Sequence, residues 1–217
     1  MKKLNFRIVC VIIFMILFES FFYFLAKFSP FEPFLLESFI DNKLHLIEEF
    51  IYFYVMWYVM LLVVTYLFYL KDKESFKGYL MTSTGCILIS TIIFFFFPTT
   101  ITRGEVLVTN VTTFVLDFIY FTDTPALNCF PSMHCAICFI FIYYSLFTKK
   151  INWPKRIMII IASSLVIIST LFIKQHVIWD VIGAFVLVIL VLILNKIFHV
   201  NRLFNKIFKK LKLEIDN

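Results

Sequence analysis

Residues 128–134 read NCFPSMH and residues 174–180 read KQHVIWD, and these two segments decide how the chain folds. Two long apolar runs joined by a basic turn lie between them, so the chain leaves one face of an apolar layer and returns to it. We therefore expect His134, His176 and Asp180 to lie beside one another at one face of a lipid bilayer.

The composition indicates an integral membrane protein. Of the 217 residues, 62% are hydrophobic and 16% are charged, and the mean hydropathy is +0.95. Soluble domains are about 45–50% apolar and about 25% charged. Phenylalanine alone contributes 30 residues, and aromatic side chains bury well in lipid and between helices.

Six apolar runs are near the ~20 residues that a helix needs to cross the hydrocarbon layer. The predicted spans are residues 8–26, 50–70, 79–97, 133–147, 157–173 and 177–197. Glu19 interrupts the first run and is either a functional group or a packed acid. A loop with a short interfacial helix is expected in residues 27–49, and a half-embedded or interfacial helix in residues 106–120, between the third and fourth spans. The predicted fold is therefore an all-α polytopic membrane protein, with six transmembrane helices bundled into a single membrane domain over residues 1–217.

Lysine and arginine are distributed unequally between the two sides of this predicted bundle. If both termini lie in the cytoplasm, that side holds all but four of the 20 lysines and arginines, as the positive-inside rule requires. The exceptions are Lys27, Lys43, Arg103 and Lys174. Residues 198–217 then form a basic cytoplasmic tail, and the formal charge of +6 needs no nucleic-acid partner. We expect a plasma-membrane protein whose two histidine segments face the extracytoplasmic side.

His176 and Asp180 are four residues apart on a helix that is expected to start near Gln175, which places both side chains on one helical face. A carboxylate there can accept a hydrogen bond from one imidazole nitrogen and leave the other nitrogen as a nucleophile or base. The alternative is that the two side chains only satisfy each other's hydrogen-bonding groups between helices. The position near the end of a span favours a functional role.

Ser132 and His134 mark the start of another predicted helix. Ser132 is a good N-cap, and the free N–H groups of the first turn point outward with the positive end of the helix dipole. Such a terminus binds phosphate readily, and His134 on the first turn could donate a proton to a departing oxygen. Alternatively, Ser132 only caps the helix and His134 is an interfacial polar residue.

Arg103 follows the third predicted span on the same side as the two histidines. A guanidinium offers forked donors for phosphate oxygens. Taken alone, Arg103 could equally anchor the chain at the level of the lipid headgroups.

The five cysteines do not indicate a disulfide framework. Cys135 and Cys138 form a CxxC pair, which on a lipid-embedded helix is expected to serve packing. The sequence predicts neither a metal site nor a cofactor.

Taken together, these segments resemble the type 2 phosphatidic acid phosphatase superfamily, which comprises six-helix lipid phosphatases, lipid phosphotransferases and soluble haloperoxidases. The resemblance rests on PSMH at residues 131–134 followed by H-x-x-x-D at residues 176–180. The segments F-P-T-x-x-x-R at residues 97–103 and N-x-F-P-S-x-H at residues 128–134 are most similar to the branch with inositolphosphoceramide synthase-like proteins. The resemblance covers about the C-terminal two-thirds of the chain and implies a catalytic core at residues 79–197.

The resemblance implies a role for each site residue. His176 would attack phosphorus to form a phosphohistidine, and Asp180 would orient it. His134 would protonate the leaving alcohol and later activate the acceptor. The phosphoryl oxygens would be held by Arg103, Lys174 and Ser132. Because phosphoryl transfer depends mostly on positioning and charge stabilisation, no metal is required if fixed cations and helix dipoles supply the charge.

Two positions depart from the pattern of that superfamily. Phe96 stands where the first motif has a lysine, and Thr170 stands where the third motif has an arginine. We expect Lys174 to replace one of these cations. The other loss leaves the headgroup of the substrate open.

Three functions are compatible with these patterns. The first is a membrane enzyme that cleaves a phosphomonoester or pyrophosphate from a lipid, with water as acceptor. The second transfers a headgroup to a lipid hydroxyl, and the third is a non-catalytic membrane transporter. The expected partners are a lipid phosphate and the membrane, and the sequence makes no prediction about oligomeric state.

Overall fold

The computed structural model describes residues 6–210 and shows a mostly helical protein. In that range the helices are α1 (Phe6–Ala26), α2 (Phe39–Lys43), α3 (Ile51–Lys71), α4 (Lys73–Phe96), α5 (Val111–Thr122), α6 (Met133–Phe147), α7 (Trp153–Phe172), α8 (Ile178–Ile197) and α9 (Val200–Lys210). A short 3-10 turn, Glu48–Phe50, leads into α3.

Four helical segments of the described chain are long and apolar enough to cross a membrane, so the chain is an integral membrane protein. They are Glu48–Lys71, Lys73–Phe96, Trp153–Phe172 and Ile178–Ile197. Helices α1, with 21 residues, and α6, with 15 residues, lie where the first and fourth spans are predicted. The total of six spans stays a prediction.

One small sheet was not expected in an all-α fold. Strand β1 (Phe34–Leu35) pairs in parallel with β2 (Thr99–Thr100), and Thr100 also bridges Leu127 in the opposite direction. Two-residue strands are too short to give an alternating pattern that could be recognised in the sequence. The sheet ties three loop segments together at one end of the bundle.

Helix α4 begins at Lys73, six residues before the predicted span at residues 79–97. The reason is an N-cap. Asp72 accepts the Glu74 N–H through Oδ1 at 3.2 Å, which satisfies a donor that the first helical turn leaves free. Its other oxygen accepts the hydroxyl of Ser75 at 2.8 Å.

The turns between helices meet at two opposite ends of the bundle. At one end, Thr148 after α6 donates to Asp72 between α3 and α4 at 2.6 Å. Lys77 of α4 donates to Asn205 of α9 at 2.9 Å. These contacts bring the basic α3–α4 and α6–α7 turns and the basic α9 to the same end, as the charge count requires, while the orientation in the membrane stays a prediction.

Helix α6 lies at the centre of the apolar core, between α4, α7 and α8. The side chains of Ile137, Ile140 and Phe141 are fully or almost fully buried. Cys135 and Cys138 are also buried and unbonded, so both serve packing, as predicted. The outer faces of α7 and α8 expose large apolar side chains, as expected of helices that face lipid.

The segment before α3 is anchored to the start of α8. Helix α2, at the expected position in residues 27–49, begins with a capping box between Ser38 and Asp41. The buried Asp41 accepts the Ile178 N–H through Oδ1 at 2.9 Å, and its carbonyl accepts Lys174 Nζ at 2.8 Å. The short helix is thus part of the end of the bundle that holds the histidines.

Two further predicted segments are helical. In the third-to-fourth loop, α5 begins at Val111, because Asn110 caps it by accepting the Thr113 N–H at 3.0 Å. Its place at the membrane interface stays a prediction. In the basic tail, α9 buries Phe208 against the core, and residues 211–217 lie outside the described chain.

Gly183 of α8 lets the ring of Phe130 lie directly against the helix backbone. A Cβ at this position would overlap the ring, and Phe130 belongs to the segment that leads into α6 and His134. The close approach therefore helps to set where α6 begins relative to α8.

We predict that Gly183→Ala lowers the melting temperature of the detergent-solubilised protein. Overpacking costs about 1–3 kcal/mol, which exceeds the ~1 kcal/mol that alanine gains over glycine in a helix. Gly104→Ala is the control, since a Cβ there meets nothing within 4 Å. Equal melting temperatures for the two variants would contradict this account of Gly183.

Candidate active site

Asp180 holds His176 at the start of α8. The carboxylate oxygen Oδ2 lies 3.0 Å from His176 Nδ1 and accepts the Val177 N–H at 3.0 Å. Asp180 is fully buried and His176 is 8% exposed. The other ring nitrogen of His176, Nε2, is therefore the one left for chemistry.

The helix that carries this pair does not start near Gln175, as predicted, but at Ile178, with Val177 as N-cap. The physical reason is that Asp180, at the third helical position, reaches back to the N–H of the cap residue. His176 therefore lies just outside the helix. The two side chains still meet, through the geometry of the helix cap.

His134 faces His176 across a short gap. Their ring centroids are 5.6 Å apart. Ser132 caps α6 by accepting the Cys135 N–H at 3.3 Å, as predicted, and its own N–H donates to the Asp180 carbonyl at 3.1 Å. The starts of α6 and α8 are thus joined directly, and each start carries one histidine.

Ser132 itself is fully buried and does not line the cavity described below. Its side chain is engaged in the helix cap, and its predicted contact with phosphate is not tested by this arrangement.

Two aromatic residues of α3 position His134, and sequence reasoning missed both. The hydroxyl of Tyr54 lies 2.9 Å from His134 Nε2. The ring of Trp57 packs on His134 with centroids 4.4 Å apart. The only signal in the sequence was that Tyr54, Trp57 and Leu61 share one face of α3, which in a chain so rich in aromatic residues does not single them out.

A cavity of about 510 Å³ opens onto both histidines, within the range of about 300–1,000 Å³ that is typical of small-molecule sites. It is enclosed by α1, α3, α4, α5 and the loop before α6. Its apolar lining includes Leu61, Leu62, Ile87, Phe94 and Ile119, and its polar lining includes Glu19, Ser90, Asp123, Asn128 and Gln175.

The Arg103 side chain links three loop segments through hydrogen bonds. Its Nη2 donates to Asp123 Oδ2 at 2.6 Å and to Gln175 Oε1 at 2.7 Å. Nη1 donates to the Asp123 carbonyl and Nε to the Lys174 carbonyl, both at 3.3 Å. Four of the five N–H donors of a guanidinium are therefore used within the protein, and Arg103 is not among the residues that line the cavity. Its contact with a phosphoryl oxygen stays a prediction.

Lys174 borders a different cavity from the large one that His134 and His176 line. It lines a second, smaller cavity of about 230 Å³, together with His176, Glu37 and Asp41. One of its three donors is used on the Asp41 carbonyl. Lys174 thus shares this smaller cavity with His176 and does not line the large one. Its contact with a phosphoryl group stays a prediction.

Phe96 and Thr170, which stand where the superfamily pattern has a cation, have different surroundings. Phe96 is 52% exposed and packs against Phe31 and Phe95 outside the site. Thr170 is fully buried, and its carbonyl accepts the N–H groups of Gln175 and His176 at 3.0 Å. Neither position supplies a charge to the histidines.

Cys129 and Tyr120 lie close to the site as neutral groups. Burial raises the pKa of the Cys129 thiol well above its usual value, and Asp180 adds to the shift. Burial raises the pKa of Tyr120 to about 12, and Arg103 opposes the shift only in part. Because the thiol stays protonated at neutral pH, Cys129 is a poor nucleophile compared with His176.

Among residues 6–210, no group of three or more His, Cys, Asp and Glu side chains is arranged to hold a metal ion.

Comparison with known proteins gives one match. The family model described as the PAP2 superfamily matches residues 31–194, which is more than half of the chain and includes all six predicted site residues. No curated protein and no solved structure matches the chain significantly.

We predict that Asp123→Asn lowers the unfolding free energy by about 1–3 kcal/mol, because it leaves the guanidinium of Arg103 without its ionic partner. The expected loss is below that of a fully buried pair, since the Asp123 side chain is 28% exposed. The measurement is thermal unfolding in detergent.

The control is Asp117→Asn, which removes the same charge from an exposed position of α5, the helix that ends just before Asp123. If both substitutions leave the melting temperature unchanged, Arg103 does not tie these segments together in the way described.

Proposed function

The chain belongs to the PAP2 superfamily, and we propose that it is an integral membrane phosphatase that removes phosphate from a lipid phosphate or lipid diphosphate. The observation that carries the proposal is the pair of facing histidines, one of them held by a buried aspartate, at the end of a largely apolar cavity.

In the first step, His176 attacks phosphorus. Asp180 holds the proton on Nδ1, so the lone pair of Nε2 faces the substrate. The N–P bond forms as the bond from phosphorus to the lipid oxygen breaks, and His134 gives its proton to that oxygen. The buried carboxylate stabilises the positive charge that develops on the ring of His176.

In the second step, a water molecule replaces the lipid alcohol. His134, now neutral, takes a proton from the water, whose oxygen attacks phosphorus as the N–P bond breaks. Both steps use the face of phosphorus that is opposite His176, so one base beside the leaving-group position serves both. The covalent intermediate divides one difficult displacement into two easier ones.

The cavity supports a lipid as the substrate. Its lining as a whole is mostly apolar, and it is large enough for part of a hydrocarbon chain. A phosphoryl group between His134 and His176 would leave such a chain inside the cavity, surrounded by α3, α4 and α5.

The charge distribution supports an extracytoplasmic site. The contacts of Asp72 and Lys77 gather basic segments at one end of the bundle, and the positive-inside rule assigns that end to the cytoplasm. The histidines lie at the other end, and both termini are then cytoplasmic.

A headgroup phosphotransferase is the second candidate. His134, which would activate the acceptor, lies in the apolar cavity, and an acceptor that arrives through this cavity would be a lipid hydroxyl. The third possibility, a transporter without catalysis, requires no reactive His176.

We predict that the purified protein releases inorganic phosphate from phosphorus-labelled phosphatidic acid or polyprenyl diphosphate, and that His176→Ala lowers the rate by at least about 10³-fold through loss of the nucleophile. His45→Ala, at an exposed histidine at the same end of the bundle, is the control and should keep full activity.

A new labelled lipid in place of free phosphate would favour the phosphotransferase. Undiminished activity of His176→Ala would exclude the phosphohistidine mechanism. A water-soluble short-chain lipid phosphate added to intact cells should be hydrolysed, and hydrolysis only after permeabilisation would place the site on the cytoplasmic side.

A further inference from the structure

Three buried side chains that line the large cavity each carry an N–H donor without a partner among the described residues. They are Trp57 Nε1, Asn128 Nδ2 and Gln175 Nε2. These residues are only 6%, 5% and 3% exposed. Buried polar groups in native proteins are nearly always hydrogen-bonded, so three unpartnered donors on residues that line one cavity require an explanation.

The free donor of Gln175 is fixed by its neighbour. Gln175 Oε1 accepts from Arg103 Nη2 at 2.7 Å, and a guanidinium can only donate. The atom that faces Arg103 must therefore be the oxygen, and the unpartnered atom must be the NH₂ group. Its residue adjoins His176 in the chain and lines the same cavity.

Asn128 is held in place without help from its amide. Its neighbour Leu127 bridges Thr100, and the Phe130 N–H donates to Thr99 Oγ1 at 2.8 Å. The backbone of Asn128 is left-handed, with φ of 62°, which asparagine tolerates better than most residues. Both polar atoms of its side chain lack partners, so the amide contributes no hydrogen bond to the fold.

The third unpartnered donor, Trp57 Nε1, belongs to a residue that lies beside His134. The Trp57 ring packs on His134, and its N–H can only donate. The three residues thus come from α3, from the loop before α6 and from the loop before α8, and they line one cavity together with His134 and His176.

We propose that Asn128, Gln175 and Trp57 bind the phosphoryl oxygens of the substrate, as neutral donors in a site that is short of cations. Phe96 and Thr170 supply no charge, and Arg103 has one N–H to spare. A phosphoryl group offers several anionic oxygens, and preorganised neutral donors in a site that excludes water stabilise such charge effectively. The inference rests on the proposed phosphatase activity, since it assigns the binding residues of the same site.

The test uses orthovanadate, a phosphate analogue, and measures both thermal stabilisation of the purified protein and inhibition of phosphate release. Gln175→Glu keeps an oxygen next to Arg103 and removes the N–H donor. Asn128→Gly permits the left-handed backbone and removes the amide. Each variant should raise the vanadate concentration for half-maximal stabilisation about ten-fold or more, the usual cost of losing a hydrogen bond to a charged group.

Asn195→Ala is the matched control. Asn195 is also a buried asparagine with an unpartnered Nδ2, but it lies near the end of α8 and does not line the cavity. It should leave vanadate binding unchanged. Without ligand, Asn128→Gly should be no less stable than Asn195→Ala, because both polar atoms of the Asn128 amide lack partners among the described residues.

Unchanged vanadate binding in Gln175→Glu and Asn128→Gly would overturn the inference. A marked loss of ligand-free stability in Asn128→Gly alone would also overturn it, by showing that the amide is structural. Failure of the proposed function is a separate result, namely a wild-type protein that releases no phosphate from any lipid, because vanadate stabilisation is measured without turnover.

Discussion

The buried carboxylate of Asp180 is the contact on which the site depends. One of its oxygens accepts the backbone N–H that caps α8 and lies 3.0 Å from the ring of His176. Its backbone carbonyl accepts the N–H of Ser132, the cap residue of α6. A single residue thus fixes the start of two helices and the orientation of one histidine. Because His134 follows Ser132 in the first turn of α6, the same residue also sets the distance between the two rings.

The cations around the site take part in the architecture as well as in the proposed chemistry. Arg103 joins the loop after β2 to the end of α5 and the loop before α8. Lys174 binds the backbone of Asp41 and so fixes the short helix α2 beside the site. Because several of their donors are already hydrogen-bonded to the protein, these side chains keep the site rigid before a ligand binds. Donors that are already in position need little reorganisation when charge develops on the substrate. Among the described residues that line the cavity, Trp57, Asn128 and Gln175 each have an N–H donor without a partner.

The sequence predicts well what depends on local pattern and poorly what depends on tertiary contact. Long apolar runs predict the four membrane helices, and the serine before a helical run predicts the cap at Ser132. The predicted start of α8, near Gln175, is too early in the chain. The pattern H-x-x-x-D does not distinguish an aspartate that caps a helix from an aspartate that lies one turn after a histidine inside the helix. Tyr54 and Trp57 could not be found, since they reach His134 only through the packing of α3 against α6. The engagement of Arg103 with Asp123 depends likewise on the packing of loops distant in sequence.

The phosphohistidine is most directly tested by trapping it. The protein is mixed with a lipid phosphate labelled at phosphorus and quenched in alkali within one turnover, and the phosphorylated peptide is located by mass spectrometry. The mechanism predicts an acid-labile phosphoryl group on His176 that disappears as inorganic phosphate forms, and no labelled peptide from His176→Ala. A stable label on another residue, or turnover in which no covalent intermediate forms, would contradict it.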